Sequence, residues 1–572
     1  MGNDKLIIFD TTLRDGAQTP GVLPGGKFEL AKSLAYTGVD VIEAGFAKNT
    51  ADYDTIVDIA RYIGSREHSK LDNVPQICSL ARVSSESNLP NMKNDINMAM
   101  ESIRYADPDK RRLHVFIGTS RQLQTYSHGN NESQIIEKTK ASVGYSREIL
   151  GSEGTVEYSP EDGTRTKYDF LAKIVEVARS YGADVINIPD TTGGATPRQY
   201  HDLIRRLLSD VEILKDAIIS THIHNDTGNA VACAMEGINA GARQVEGCVL
   251  GLGERAGNTD WMTVVLNVML HDEYDVDISH LKTEKFYKLA ELASNVTGVP
   301  IPLNYPGTGR NAFTTSSGIH VNALIKDDDS WQSYYLVNPK VFGRKSHIVF
   351  GPTSGTHTTE SLLENKDASR HTEPEYSKEE IAEITEVCKR KLKSMNIGIL
   401  NDTELRVIAE DVRSGQQENS GVKLLEYSAP SSDKGNYSEL TLDVRGKKLY
   451  GKSRGEGTVD AMMNALNEAL GAEGEITLDY WDQKAVYRGR GAHGSEILDE
   501  IEFSDEELMI MGNGGNGYAS KDQGAIAKCI VKLKYRGETY DGRAESTDTT
   551  RASYEAIIDA LDAMAKLGAL DI

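Results

Sequence analysis

The segment THIHND (221–226) carries two histidines two positions apart. In an extended strand, side chains at i and i+2 share a face, so His222 and His224 project together. Two imidazoles on one face form a chelating pair for a divalent cation. A second segment, DTTLRDGAQ (10–18), offers hard oxygen donors in Asp10 and Asp15 and a fixed positive charge in Arg14. One carboxylate with two imidazoles leaves positions open on a six-coordinate cation. A 2-oxo acid could fill two of them through its carboxylate and keto oxygens, and the cation would polarise the ketone as a Lewis acid. Arg14 could stabilise the negative oxygen that develops nearby. An ion pair with Glu43 is the purely structural alternative for Arg14 and is compatible with that role. GLGERAGNTD (251–260) adds Asn258 as a further oxygen donor, and its glycines let backbone approach a ligand.

This chemistry needs the two histidines on the inward face of a strand end. Eight short apolar runs supply strands: KLIIFD (5–10), VDVIEAG (39–45), VPQICSL (74–80), LHVFIGT (113–119), TVEYSP (155–160), ADVINIPD (183–190), AIISTHIHND (217–226) and RQVEGCVL (243–250). Stretches of helical spacing lie between them, several ending in Gly as a helix C-cap does. Strands this apolar, alternating with helices, predict an α/β fold with a parallel sheet covered by helices. Eight repeats in about 250 residues fit a closed (β/α)₈ TIM barrel, whose active sites lie at the C-terminal strand ends. DTTLRDG closes the first strand, THIHND the seventh, and GLGERAGN follows the eighth. An open doubly wound sheet is the alternative. Its dinucleotide version is disfavoured, because no G-x-G-x-x-G follows the first strand.

The pattern divides the chain into a barrel (1–278), a helical linker region (279–425, with a polar loop at 366–380) and a C-terminal α+β domain (432–572). The segment 416–439 reads as the boundary. The last part holds a weak repeat, 440–470 against 530–561. Each copy reads as strand, Arg-Gly turn, strand and amphipathic helix, with Thr458 and Asp548 as helix starts.

Composition narrows the function classes. The 572 residues carry a formal net charge of −23. Such a chain lacks the basic surface that displaces counterions from nucleic acid or docks on an anionic membrane. No apolar run reaches the ~18 residues of a membrane span. The start, MGNDKLIIFDTTLRDG, has no signal-peptide pattern. The five cysteines include no C-x-x-C pair. A reduced, cytoplasmic setting is therefore expected.

In combination, DTTLRDG after strand one, H-x-H-N-D on strand seven and G-x-G-E-R-A-G-N after strand eight resemble the family of 2-isopropylmalate, citramalate and homocitrate synthases. These are metal-dependent barrels that condense acetyl-CoA with a 2-oxo acid. SSGIHVNALIK (316–326) resembles the family's segment beyond the barrel, and the C-terminal repeat resembles its amino-acid-sensing regulatory domain. The resemblance implies that Asp15, His222 and His224 bind a divalent metal (Mn²⁺, Zn²⁺ or Mg²⁺) with Asn258 close by. It implies that Arg14 polarises the reacting oxygens, that Thr191 binds the 2-oxo acid carboxylate, and that Ser159 lines the pocket. Glu161 is implied in acid–base chemistry, and His320 as the catalytic histidine delivered from the neighbouring subunit of a homodimer.

The homocitrate synthases carry R-F-S-S-E-D where this chain has Glu157 to Asp162, and their Arg pairs with a second substrate carboxylate. Glu157 in that place is expected to oppose a dicarboxylate. That leaves 2-oxoisovalerate or pyruvate, and ESTDTTRAS (545–553), similar to leucine-regulated members, favours the former with leucine as feedback ligand. GPTSG (351–355) departs from the family's G-K-H-S-G. A metal-dependent C–C lyase of the same superfamily is a rival reading, but such enzymes generally lack the C-terminal repeat. A non-catalytic amino-acid sensor is another, and the intact Asp, Arg, H-x-H and Glu set opposes it.

Overall fold

All eight apolar runs form strands. In the computed structural model they are β1 (Ile7–Asp10), β2 (Val41–Phe46), β3 (Gln76–Arg82), β4 (Arg111–Gly118), β5 (Thr155–Glu161), β6 (Val185–Asp190), β7 (Ile218–Ile223) and β8 (Gln244–Gly247). Each pairs in parallel with the next, and β8 pairs back onto β1, with Ile7 opposite Gln244, so the barrel closes. One helix follows each strand: α1 (Lys27–Thr37), α2 (Thr50–Tyr62), α3 (Leu89–Ser102), α4 (Glu132–Leu150), α5 (Tyr168–Ser180), α6 (Pro197–Asp210), α7 (Ala230–Ala240) and α8 (Trp261–Leu270). Gly38 and Gly241 cap α1 and α7, as expected. Closure explains the composition of the strands. Val156 and Tyr158 of β5 join the apolar layer beneath the helices, while Glu157, Ser159 and Glu161 alternate with them and turn inward. The polar residues of a barrel of this kind are thus concentrated along its axis.

The structure describes residues 4–570 apart from 23–24, 49, 72, 84–88, 328–330, 364–375, 396, 415–420, 433–434, 473, 488–524 and 547. Parts of the predicted polar loop (366–380) and boundary segment (416–439), and residue 547 of ESTDTTRAS, lie outside the described residues. The chain forms two compact units, Met1–Thr314 with Tyr335–Ser346, and Thr315–Tyr334 with His347–Ile572. α9 (Phe286–Thr297) belongs to the first, where the Phe286 ring meets Trp261 of α8 edge-on at 5.2 Å.

The second unit contains α10 (Gly318–Lys326), α11 (Thr356–Leu363), α12 (Lys378–Met395) and α13 (Asp402–Ser414). A separate apolar cluster, including Phe350, Ile384, Cys388 and Leu405, holds α11 to α13 together. Then come β9 (Val422–Ser428), β10 (Gly435–Val444), β11 (Lys447–Gly455), α14 (Thr458–Leu470), β12 (Thr477–Tyr487), β13 (Ala525–Tyr535), β14 (Glu538–Ser546) and α15 (Thr549–Lys566). The repeat is structural. The β10–β11 hairpin turns through Arg445-Gly446 (φ 51° and 88°) and the β13–β14 hairpin through Arg536-Gly537 (φ 49° and 88°). Positive φ at both central positions is the turn whose twist matches paired strands. Asp548 caps α15, its carboxylate accepting from the Arg551 N–H at 3.0 Å, whereas Gly457 rather than Thr458 holds the capping position of α14.

In both copies the helix lies directly on a glycine of the second strand. A Cβ at Gly451 would stand 1.9 Å from the Ala465 carbonyl oxygen, and one at Gly542 would stand 2.1 Å from that of Ala556. Backbone cannot yield as a side-chain tip does. Gly542→Ala should therefore destabilise the second unit by about 3 kcal/mol or more, read as a shift in chemical denaturation. An unchanged midpoint would contradict this packing.

Candidate active site

β7 delivers His222 at its end and His224 just beyond it, both nearly fully buried. Their Nε2 atoms face each other at 3.3 Å. Adjacent ligands at about 2.1 Å from one cation stand about 3.0–3.4 Å apart, so the pair has the spacing of a chelate. The turn after β1 brings the third group. Asp15 is held by its N–H donating to the Thr11 carbonyl at 2.9 Å, and its carboxylate and the two imidazoles place ligating atoms within 4.8 Å of one another. Asn258 donates from Nδ2 to Asp15 Oδ1 at 2.8 Å, and its buried Oδ1 has no partner among the described residues. Asp10, the other carboxylate of the segment, is committed elsewhere: it accepts from the Thr12 N–H and hydroxyl and from Trp261 Nε1 at 2.7–3.0 Å.

Arg14 is the centre of charge. Its Nε donates to Glu43 at 2.6 Å, Nη1 to Asp15 at 2.5 Å and Nη2 to Glu246 at 3.0 Å. Three carboxylates thus surround one guanidinium. The carboxylates outnumber the guanidinium, and the His114 ring on Glu43 offsets only part of that excess, so positive charge from a divalent cation on Asp15, His222 and His224 suits this buried site. Donor set, spacing and charge all fit such an ion.

Burial alone would raise the Asp15 carboxyl, but Arg14, His222 and His224 outweigh it and hold it well below the usual range. Burial disfavours a charged His222, yet Glu246 outweighs burial and the ring's pKa is raised. His224 is lowered to about 4 by burial and by His222. The sign for cation binding follows. Asp15 stays ionised throughout the working range, and protons compete at His222 from above the ordinary histidine range. Affinity of the metal-free protein for Mn²⁺ should fall several-fold between about pH 8 and about pH 6, measured by calorimetric titration. Affinity that rose on acidification would contradict the ligand set.

Arg14, Asp15, Ser159, Glu161, Thr191, His222 and His224 line one cavity of about 270 Å³ at the C-terminal end of the barrel, with Leu80, Phe116 and Pro189 as apolar wall. A larger cavity, of about 800 Å³, lies in the second unit among carboxylates and lysines. Volume alone would select the wrong place, since the metal-ligand clusters found among the described residues all belong to the barrel.

Three further side chains, His114, Asn187 and the Glu246 already met beside Arg14, enter the site without having been picked out in the sequence. His114 bridges Glu43 (Nδ1, 2.8 Å) and Ser159 (Nε2, 2.7 Å). Asn187 donates from Nδ2 to Ser159 Oγ at 3.0 Å and to Glu246 at 2.7 Å. The alternation along β4, β6 and β8 was the available signal: each is a polar residue between apolar ones on a strand buried on both faces.

Residues 5–293 match the HMGL-like family, residues 308–395 the homocitrate synthase post-HMGL domain-like family, and residues 400–513 the LeuA allosteric (dimerisation) domain. The 2-isopropylmalate synthase of Parabacteroides distasonis is 32% identical, with 98% of this chain and 99% of that one covered. That of Dictyoglomus turgidum is 32% identical, with 99% and 100% covered, and that of Pyrococcus furiosus 32%, with 98% and 99%. The chain belongs to the 2-isopropylmalate synthase family. Among the residues expected from the motifs, this member of the 2-isopropylmalate synthase family keeps Asn258 behind Asp15 rather than on the cavity wall. Thr191 Oγ1 accepts from the Asp162 N–H at 2.9 Å, so its hydroxyl proton remains to be donated. Glu161 is half-buried; burial raises its carboxyl, with Arg82 opposing. His320 belongs to the second unit, on α10, where it stacks on Tyr334 at 3.9 Å.

One premise is corrected. Glu157 does not face the cavity. It is fully buried one layer deeper, paired with Arg112 at 3.0 Å and accepting from Gln244 Nε2 at 2.9 Å. Its position on β5, two residues before Ser159, turns it inward but below the site, and Arg112 neutralises it. The case against a dicarboxylate rests instead on the cations that do line the cavity. Arg14 is surrounded by carboxylates, Arg255 is paired with Asp226 at 2.9 Å, and both nitrogens of His114 are engaged.

Proposed function

We propose that this 2-isopropylmalate synthase family member condenses acetyl-CoA with 2-oxoisovalerate, forming 2-isopropylmalate and free CoA in leucine biosynthesis. The observation that carries the reading is the buried Asp15–His222–His224 cluster beside Arg14, at the end of a closed barrel whose chain is related to 2-isopropylmalate synthases over nearly its full length. A divalent cation held by these three residues, with Asn258 behind them, supplies Lewis-acid polarisation of a 2-oxo acid.

The chain's own groups do the rest. Thr191 donates its hydroxyl to the substrate carboxylate, and Ser159, fixed by His114 and Asn187, forms the wall beside it. Arg14 keeps its charge against three carboxylates and stabilises the oxygen that becomes negative. His320, brought by the partner subunit of a homodimer, or Glu161 removes a proton from the acetyl methyl group. Glu161 suits proton transfer because burial lifts it toward neutrality. The resulting enolate carbon forms the new C–C bond at the keto carbon, and the keto oxygen takes a proton. Water then adds to the thioester carbonyl and CoA leaves as the thiol. Residues 279–425 link this barrel (1–278) to a regulatory domain (432–572) that takes leucine as feedback inhibitor, in a cytoplasmic enzyme. Leu80, Phe116 and Pro189 suit the apolar tail of 2-oxoisovalerate.

Comparing kcat/KM for 2-oxoisovalerate, pyruvate and 2-oxoglutarate, with and without leucine, tests the substrate. 2-Oxoglutarate should be poorer by about 100-fold or more, because the arginines among the described residues that line the cavity are already paired with carboxylates. A preference for it, or for pyruvate, would overturn the choice of acid, and indifference to leucine would remove the feedback claim.

A further inference from the structure

We propose that Glu246 is a positioning residue: it fixes the tautomer of His222 and ties the cation ligands to the wall of the 2-oxo acid pocket. The inference rests on the cation reading given above. Glu246 lies on β8 and is fully buried. Its Oε1 accepts from Arg14 Nη2 at 3.0 Å and stands 3.1 Å from His222 Nδ1. Its Oε2 accepts from Asn187 Nδ2 at 2.7 Å, and Asn187 in turn donates to Ser159. One carboxylate therefore touches a ligand, the arginine bonded to a second ligand, and the side chain that fixes Ser159.

An imidazole that gives its Nε2 lone pair to a cation carries its proton on Nδ1, and a buried N–H needs an acceptor. Among the described residues His222 Nδ1 makes no hydrogen bond of good geometry, and the Glu246 carboxylate at 3.1 Å is the acceptor that stands within ion-pair distance of it; His224 Nδ1 likewise has no hydrogen-bond partner among the described residues. Partners of this sort hold the ring angle and are commonly worth about 10–100-fold in metal affinity. Service to Arg14 alone does not account for Glu246. Arg14 already has Asp15 and Glu43, and a third buried carboxylate costs desolvation that its single charge does not offset.

The test titrates Mn²⁺ into metal-free full-length protein and into the Glu246→Gln and His224→Ala variants. The expected result is weaker binding by about 10–100-fold in Glu246→Gln and loss of binding in His224→Ala. A residue serving only Arg14 would lower the melting temperature and leave Mn²⁺ affinity unchanged. Wild-type affinity in Glu246→Gln, with binding lost in His224→Ala, would overturn the role of Glu246 and leave the cation site standing. Equal binding by wild type and His224→Ala would overturn the cation reading and this inference together. If Glu246→Gln does not fold, ¹⁵N-histidine NMR of the wild-type protein loaded with Zn²⁺ decides. His222 protonated on Nδ1 supports the proposal, and His222 protonated on Nε2 overturns it.

Discussion

Replacing His224 by alanine should abolish turnover, by about 10³–10⁴-fold or more, in a protein that still folds. The size follows from the several kcal/mol of charge stabilisation that a cation supplies to a developing negative oxygen. The fold should survive because of what His224 does not do. It lies beyond the end of β7, its pKa is lowered to about 4 so that it is neutral in the working range, and its Nδ1 makes no hydrogen bond among the described residues. Removing it strands no buried partner except the facing Nε2 of His222. The cost to stability is that of a small packing defect, about 1–3 kcal/mol. Steady-state kinetics and thermal unfolding together check the prediction. Activity within tenfold of wild type would mean that the H-x-H pair is structural.

Arg14 should behave in the opposite way, with fold and activity failing together. Arg14→Met leaves Asp15, Glu43 and Glu246 buried together without the guanidinium that pairs all three, with only the His114 and His222 rings facing them. Breaking a buried ion pair from one side typically costs about 3–5 kcal/mol, and here three carboxylates are left. The variant should show a strongly lowered unfolding midpoint and no measurable turnover. Arg14→Lys separates charge from geometry. An ammonium restores the charge but cannot present three N–H groups along the fork that meets three separate carboxylates. Its midpoint should recover most of the loss while turnover stays at least about 100-fold down. An Arg14→Lys enzyme with normal turnover would show that only the charge matters.

The strands were legible because the face beneath the helices is filled with Val, Ile, Leu and aromatic residues at every second position, while the polar residues between them turn to the barrel axis. The H-x-H pair was legible for the same reason: two polar residues at i and i+2 in such a strand must point inward. Asp15 could be named but not separated from Asp10 by residue type. The separation comes from Trp261, 251 residues away, whose indole N–H claims Asp10. Glu157 shows the limit most clearly. Strand alternation gives the direction of a side chain but not its depth, and depth decides whether a carboxylate meets substrate or, as here, Arg112 and Gln244. His114, Asn187 and Glu246 were hidden because each stands alone between nonpolar neighbours, outside any motif, and their roles arise only from pairing across the barrel.

The most direct test of the account is CoA release by chelator-treated protein given acetyl-CoA and 2-oxoisovalerate, before and after a divalent cation is restored. The account predicts no thiol above background without the cation or without the 2-oxo acid, and sustained release when both are present. Release that persists with the cation removed, or that no 2-oxo acid stimulates, would contradict it.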